Sequence, residues 1–290
     1  MDSGALLSHS DLSGERFVAV EHSGKYSSTG NHYQQGANGV GDEFGNGDYV
    51  AGKDFKVDGN FMPHVNDTHG THVTGTVGAN KDGQGMHGVA FDANIFVGNS
   101  GATDNNNYGP FQDYNFYYEG WSALANKVRD KNGTLEDGTT LRGGVINNSF
   151  GTNIRYTAKG ASLPVNNVRE SEFEYFLFKK NPNPNGKDFV DAAWDAIQGK
   201  NVVQIFTTGN RDMKNPYYRP LYPYFNPDAE DQWIAVTGLK QLDTTDTNGN
   251  PKYDYWYGVN KAGDAKWWTV AAPGAKIYSS IVVDDHYVAS

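Results

Sequence analysis

His69 and His72 stand three residues apart in Asp67-Thr68-His69-Gly70-Thr71-His72-Val73-Thr74-Gly75. A zinc-protease helix needs histidines four apart with a glutamate after the first. Gly70 holds that glutamate position, so a metal is not expected. Asp67 and Thr68 are good helix N-caps, and Val73 and Val77 lie four apart. Together they predict a short buried helix with His69 in its first turn. A helix N-terminus disfavours imidazolium, so a histidine there should rest neutral and accept a proton. Gly70 and Gly75 cost helix stability, which makes sense if another backbone comes close. The stretch presents a general base. His72 is expected to be a satisfied core histidine.

The elements that must position this base alternate between strand and helix. Residues 1 to 12 read as a loop with a short helical turn, and Arg16 to Val20 as a strand. Residues 22 to 66, rich in Gly, Asn, Asp and His, read as a surface excursion. After the histidine helix and the turn Asp82-Gly83-Gln84-Gly85, Ala93 to Gly98 is a short apolar strand. The polar loop 104 to 107 leads to a helix from Phe111 to Lys131 with Trp121, Leu124 and Val128 at helical spacing. Gly144 to Gly151 is a strand with a polar, glycine-ended edge, and 152 to 186 a second excursion. Val190, Ala193, Trp194 and Ile197 share one helix face, stopped by Gly199. Asn201 to Phe206 is a buried strand running into Thr207-Thr208-Gly209-Asn210. Trp233 to Thr237 precedes a hairpin with Asn248-Gly249 at its turn, and Trp267 to Ala271 and Ile277 to Val283 close the chain. The expected fold is α/β: an open, mostly parallel β-sheet in three layers, with helices on both faces.

With 290 residues, 37% hydrophobic and 13% aromatic, the chain can bury one large core. It shows no internal repeat and no linker, so residues 1–290 are read as one domain. A net charge of −10 excludes nucleic acid and anionic membranes as natural partners. There are no cysteines, hence neither disulfides nor thiol catalysis; this usage fits bacterial export. No apolar run approaches the roughly 18 residues that would span a bilayer, so no membrane contact by this segment is expected.

In such sheets, functional groups gather where strands end and helices begin. Asp2, His69, Ser149-Phe150-Gly151 and Asn210 all fit that description. The order Asp-Ser-Gly, His-Gly-Thr-His-Val-x-Gly, Asn-x-Ser-x-Gly and a strand ending Gly-Asn resembles the subtilisin-like serine proteases, the subtilases. Ala271-Ala272-Pro273-Gly274 is similar to the segment that precedes their nucleophile. The resemblance implies that Asp2 bonds the far nitrogen of His69, that His69 is general base and then acid, and that Asn210 donates to the oxyanion. It implies that Ser149-Phe150-Gly151 pairs with an extended polypeptide substrate by β-augmentation, Phe150 walling the specificity pocket, with Thr208 and Gly209 also binding substrate.

A finer resemblance, to the subtilase passenger domains of Gram-negative autotransporters, rests on three blocks. These are Tyr222-Pro223-Tyr224-Phe225-Asn226-Pro227, Trp233-Ile234-Ala235-Val236 and Asn260 to Trp268. It implies a monomer that is secreted or displayed at the cell surface. The cysteine pair of many such relatives would fall at Ala262 and Thr269. Subtilases place their serine in Gly-Thr-Ser-Met-Ala, which is absent here; the family's spacing puts it past Ser290. The strand that leads into the Asp is also expected upstream of Met1. The chain is therefore read as an incomplete peptidase domain, inactive by itself, and the other class of function is a subtilase-like binding module without a nucleophile.

No cofactor is expected, although calcium stays open because subtilases often bind it. Asp246, Asn248 and Asn250 alternate like calcium ligands, but Gly249 and the missing twelfth-position glutamate make this a hairpin turn. The polar loops at 42 to 58 and 104 to 107 read as solvated surface.

Overall fold

The computed structural model describes residues 1–30, 49–63, 65–101, 109–110, 113–130, 133–134, 138, 140–141, 143–150, 157–158, 161–162, 186–283 and 286–288. The chain divides into two compact units, Met1–Arg155 with Phe178–Val202 and Tyr278–Ser290, and Tyr156–Leu177 with Val203–Ile277. Gly151, Ser290 and the excursion of 152 to 186, apart from residues 157–158, 161–162 and 186, lie outside the described residues, as do the loop 104 to 107 and much of the 22 to 66 stretch.

In chain order the first unit contains β1 (Phe17–Ala19), β2 (His22–Lys25), β3 (Asp54–Val57) and α1 (His69–Gly78). β4 (Ile95–Val97), α2 (Tyr114–Asp130), β5 (Gly144–Asn148) and α3 (Phe189–Asp195) follow. β1 and β4 are parallel, with Phe17 opposite Ile95 and Ala19 opposite Val97. Past the end of β4, the Asp2 amide donates to the Gly98 carbonyl at 3.1 Å and the Ser100 amide to the Asp2 carbonyl at 2.7 Å. On the other flank the Met1 nitrogen donates to the carbonyl of Asn147 in β5 at 2.6 Å. The backbone that carries Asp2 is thus held between the ends of two strands.

Burial of the α2 face explains its length. Trp121, Leu124 and Ala125 are buried, as the spacing of Trp121 and Leu124 requires. Leu124 sits on Gly98, and a Cβ at Gly144 would fall 2.5 Å from that of Val128. The Trp121 indole donates to the Asn148 side chain at 2.8 Å, satisfying the one polar atom of that ring. α3 begins at Asp188, whose carboxylate caps Val190 and Asp191 while Asp191 returns the bond, a complete capping box. The helix ends at Asp195, short of the expected stop, and turns carry the chain through Ile197 to Gly199, whose φ is +72°.

The 22 to 66 stretch was expected to be surface loop because it lacks aliphatics. Its described part instead forms an antiparallel ladder of β2 with β3, His22 opposite Val57. Aromatic rings supply the burial: Phe55 and Tyr26 lie 5.0 Å apart, and Phe55 and Phe116 of α2 5.1 Å. Aliphatic counting misses a core built from Phe, Tyr and His.

The second unit is organised by β6 (Val202–Thr207, from Val203 onward), α4 (Tyr222–Phe225), β7 (Trp233–Thr245), β8 (Pro251–Tyr255) and β9 (Thr269–Pro273). β7 is its centre. The first half of β7 is parallel to β6 on one side and to β9 on the other. Its second half turns back antiparallel through β8. The strand is thus longer than the expected Trp233 to Thr237. Asp246 accepts the Asn248 and Asn250 amides at 2.8 and 2.9 Å, the bonds of the expected hairpin turn. Phe206 stacks on Trp233 at 4.8 Å, and the Trp233 indole donates to the Arg219 carbonyl at 2.9 Å.

Candidate active site

α1 begins at His69. The Asp67 carboxylate accepts the His69 amide at 2.7 Å, so Asp67 acts as an N-terminal cap. Thr68, the other expected cap, makes no side-chain bond there. The buried face of α1 is Gly70, Thr71, Thr74, Gly75 and Gly78, whereas Val73 and Val77 are half-buried. That departs from the expected valine face, and the cause is close backbone packing. A Cβ on Gly70 would lie 2.0 Å from the Gly4 carbonyl oxygen, and one on Gly75 2.8 Å from the Ser280 nitrogen. The glycines are used as anticipated: other chain segments touch the helix backbone.

This packing sets Asp2 against His69. Asp2 Oδ1 is 2.9 Å from His69 Nδ1. The Asp2 side chain is 8% exposed and that of His69 53% exposed. A buried acceptor therefore holds one ring nitrogen while the rest of the imidazole is open to solvent. Burial is the largest influence on Asp2 and pushes its carboxyl up; the His69 bond, the charge of that ring and the Ser3 amide together hold it below the usual carboxylate range. The bond to Asp2 likewise lifts His69 above its ordinary value, against burial, and the charges of Asp2 and Asp67 add to the lift. The helix N-terminus alone would lower this pKa, and the contact with Asp2 raises it instead. A carboxylate in contact outweighs a partial dipole charge.

His72 is not the satisfied core histidine expected. Its ring is half-buried, and no polar partner binds it among the described residues. Burial and repulsion by His69 lower its pKa. Among the described residues no cluster of three metal-ligating side chains occurs.

Ser149 and Phe150 leave β5 two and three residues past the Asn147 carbonyl that bonds Met1. Both are half-buried; Ser149 Oγ accepts from Asn147 at 2.8 Å, and Phe150 stacks on Tyr117 at 6.4 Å. Gly151 lies outside the described residues.

Thr208, Gly209 and Asn210 form the turn after β6 in the second unit. Asn210 is exposed and its amide has no protein partner among the described residues. Thr208 is buried; its amide donates to Val236 O and its hydroxyl to Asn260 O, each at 2.9 Å. Gly209 takes a φ of +109°, and a Cβ there would lie 2.3 Å from the Tyr217 ring. Only glycine fits that corner.

Sequence reasoning missed what fixes this turn. Fully buried Asn260 donates its side-chain amide to Thr208 O at 2.9 Å and its backbone amide to Gly209 O at 2.8 Å. Its side-chain oxygen accepts the amides of Arg211 at 2.9 Å and Met213 at 3.1 Å. Contacts reaching about fifty residues along the chain leave no local signal.

A buried carboxylate bonded to a solvent-open histidine at a helix start has the geometry of a carboxylate–histidine acid–base pair. The Subtilase family matches residues 1–288, and the chain belongs to that family. It is 29% identical over 238 residues to an extracellular serine protease of Serratia marcescens, covering 73% of this chain and 19% of that protein. It is 26% identical over 144 residues to the Neisserial autotransporter lipoprotein NalP of Neisseria meningitidis serogroup B, covering 44% of this chain and 13% of that protein. The chain spans less than a fifth of the length of these curated relatives.

Proposed function

We propose that this chain is part of the catalytic domain of a secreted or surface-displayed serine endopeptidase that cleaves extended polypeptides through an acyl-enzyme. The observation that carries the reading is the 2.9 Å bond from buried Asp2 to solvent-open His69. In this reading His69 Nε2 takes the proton of the serine nucleophile and returns it to the leaving amine, while Asp2 stabilises the imidazolium. None of the 290 residues stands in Gly-Thr-Ser-Met-Ala, so the reading puts the nucleophile outside them. Asn210 donates its side-chain amide to the oxyanion. Ser149, Phe150 and Gly151 receive the substrate backbone. The three-layer sheet and the monomeric state are part of the same proposal. The names of the Serratia and Neisseria relatives support secretion and an autotransporter setting.

The test compares casein hydrolysis by the full-length protein with that of its His69→Ala and His72→Ala variants. Near-complete loss in the first and retained turnover in the second are expected. Equal, modest losses from both, with folding intact, would refute the assignment of the base.

A further inference from the structure

The first turn of α1 is capped from outside the helix. Thr68 gives it no side-chain bond, and Asp67 takes only the His69 amide. The next amide, that of Gly70, donates to Ser3 Oγ at 2.8 Å across 67 residues of sequence. The Ser3 hydroxyl in turn donates to the Asp67 carbonyl at 2.6 Å, so one side chain closes both sides of the turn. A hydroxyl has a single proton, and the 2.6 Å bond claims it. The 3.3 Å contact of Ser3 Oγ with Asp2 Oδ1 is therefore secondary. The main link from Ser3 to the carboxylate runs through its backbone amide, which donates to Asp2 Oδ1 at 2.8 Å.

Ser3 is 2% exposed and its surroundings fix it further. Its carbonyl accepts the Asn66 side-chain amide at 2.9 Å, just before the helix. Three residues on, the Leu6 amide donates to Thr71 Oγ1 at 3.0 Å. Residues 3 to 6 thus grip residues 66 to 71 at several points. Ser3 binds both the helix that carries His69 and the carboxylate that orients it.

We propose that Ser3 is a positioning residue, a cap supplied from a segment distant in sequence that sets the reach between Asp2 and His69. The inference rests on the peptidase reading of that pair given above. It assigns Ser3 no contact with substrate. With Ser3→Ala, the Gly70 amide and the Asp67 carbonyl lose their partner, and the helix start is free to shift against Asp2. Displacements of about 1 Å at a reacting centre can cost about a hundredfold in rate.

The test uses the full-length protein, its Ser3→Ala variant and its Ser3→Thr variant, which keeps the hydroxyl. Ser3→Ala should lower kcat by tenfold or more with KM within twofold, and Ser3→Thr should recover most of the loss. In parallel, a pH titration by NMR with histidine-selective isotope labelling, His69 assigned through His69→Ala, needs no activity. His69 in Ser3→Ala should titrate closer to the ordinary histidine value than in the parent, because its bond to Asp2 is weakened. If Ser3→Ala lowers the melting temperature but leaves both kcat and the His69 titration unchanged, Ser3 is merely structural and the proposal is overturned. If the parent shows no peptidase activity while Ser3→Ala still shifts the His69 titration, the positioning role stands and the peptidase reading falls.

Discussion

Asn260 and Gly209 are joined backbone to backbone at 2.8 Å, and the Asn260 side chain spans the rest of the turn that presents Asn210. Asn210 itself is bound by nothing among the described residues, so its direction depends on this neighbour. Asn260→Ala should strand the Met213 amide and one acceptor site on Thr208 in a buried place, at about 1–3 kcal/mol for each such group. A loss of about 2–4 kcal/mol in chemical denaturation is expected, with kcat in the full-length enzyme falling more than KM changes. Asn210→Ala should leave the melt unchanged and lower kcat by about 10²–10³, the loss known for such a donor in a subtilisin.

Asp2→Asn should leave the fold intact and reduce kcat by about 10⁴, the scale seen when a triad carboxylate becomes an amide. The pH profile adds a sign. His69 is raised by Asp2, so kcat/KM should fall at acid pH with a limb above the ordinary value of about 6.5. In Asp2→Asn that limb should move to lower pH. The stability linkage has two edges. The His69 contribution is complete below about pH 6.5 and fades as pH rises through its folded value. The Asp2 contribution is present above about pH 3.9 and fades as pH falls through its folded value. The variant should therefore lose most stability, relative to the parent, between about pH 4 and 6.5.

His22 offers a separate pH test. It is 4% exposed, edge-on to Phe116 at 4.9 Å, and burial lowers its pKa to about 4. The unfolded chain binds a proton there below about pH 6.5 and the folded chain does not until about pH 4, so acid favours unfolding in that window. The expected loss is about 3 kcal/mol between those limits, since each pH unit is worth about 1.4 kcal/mol. His22→Phe should flatten that part of the stability curve, as followed by denaturant midpoints.

Gly70→Ala sets two effects against each other. Alanine gains about 1 kcal/mol of helix propensity. Its Cβ would, however, meet the Gly4 carbonyl oxygen at 2.0 Å, which is backbone and cannot swing away. Overpacking of that kind costs about 1–3 kcal/mol, so a net loss in melting temperature is expected. Gly83→Ala differs: its Cβ would meet nothing within 4 Å, although its φ of +83° still strains it. Gly83→Ala should therefore leave activity untouched.

The histidine helix, its glycines, the α2 stripe and the Gly-Asn turn were legible because each is written in neighbouring residues. The Asp2–His69 pair was legible only through resemblance, since no rule of spacing joins residues so far apart. What stayed hidden is long-range. Ser3 caps α1 from a distant loop, and Asn260 ties a turn about fifty residues upstream. The direction of the His69 shift was not legible from the helix N-terminus alone, because the Asp2 carboxylate in contact acts against it. The β2–β3 ladder was missed because its core is aromatic. Val73 and Val77 misled because small residues, not valines, bring α1 against its neighbours.

The most direct test of the central claim is labelling of the full-length protein by a fluorophosphonate, which reacts with a serine only where a base activates it. Stoichiometric labelling of the parent, lost in His69→Ala and strongly slowed in Asp2→Asn, is the predicted result. Labelling at the parental rate in His69→Ala, or none in the folded parent, would contradict the claim that Asp2 and His69 form the base of a serine peptidase.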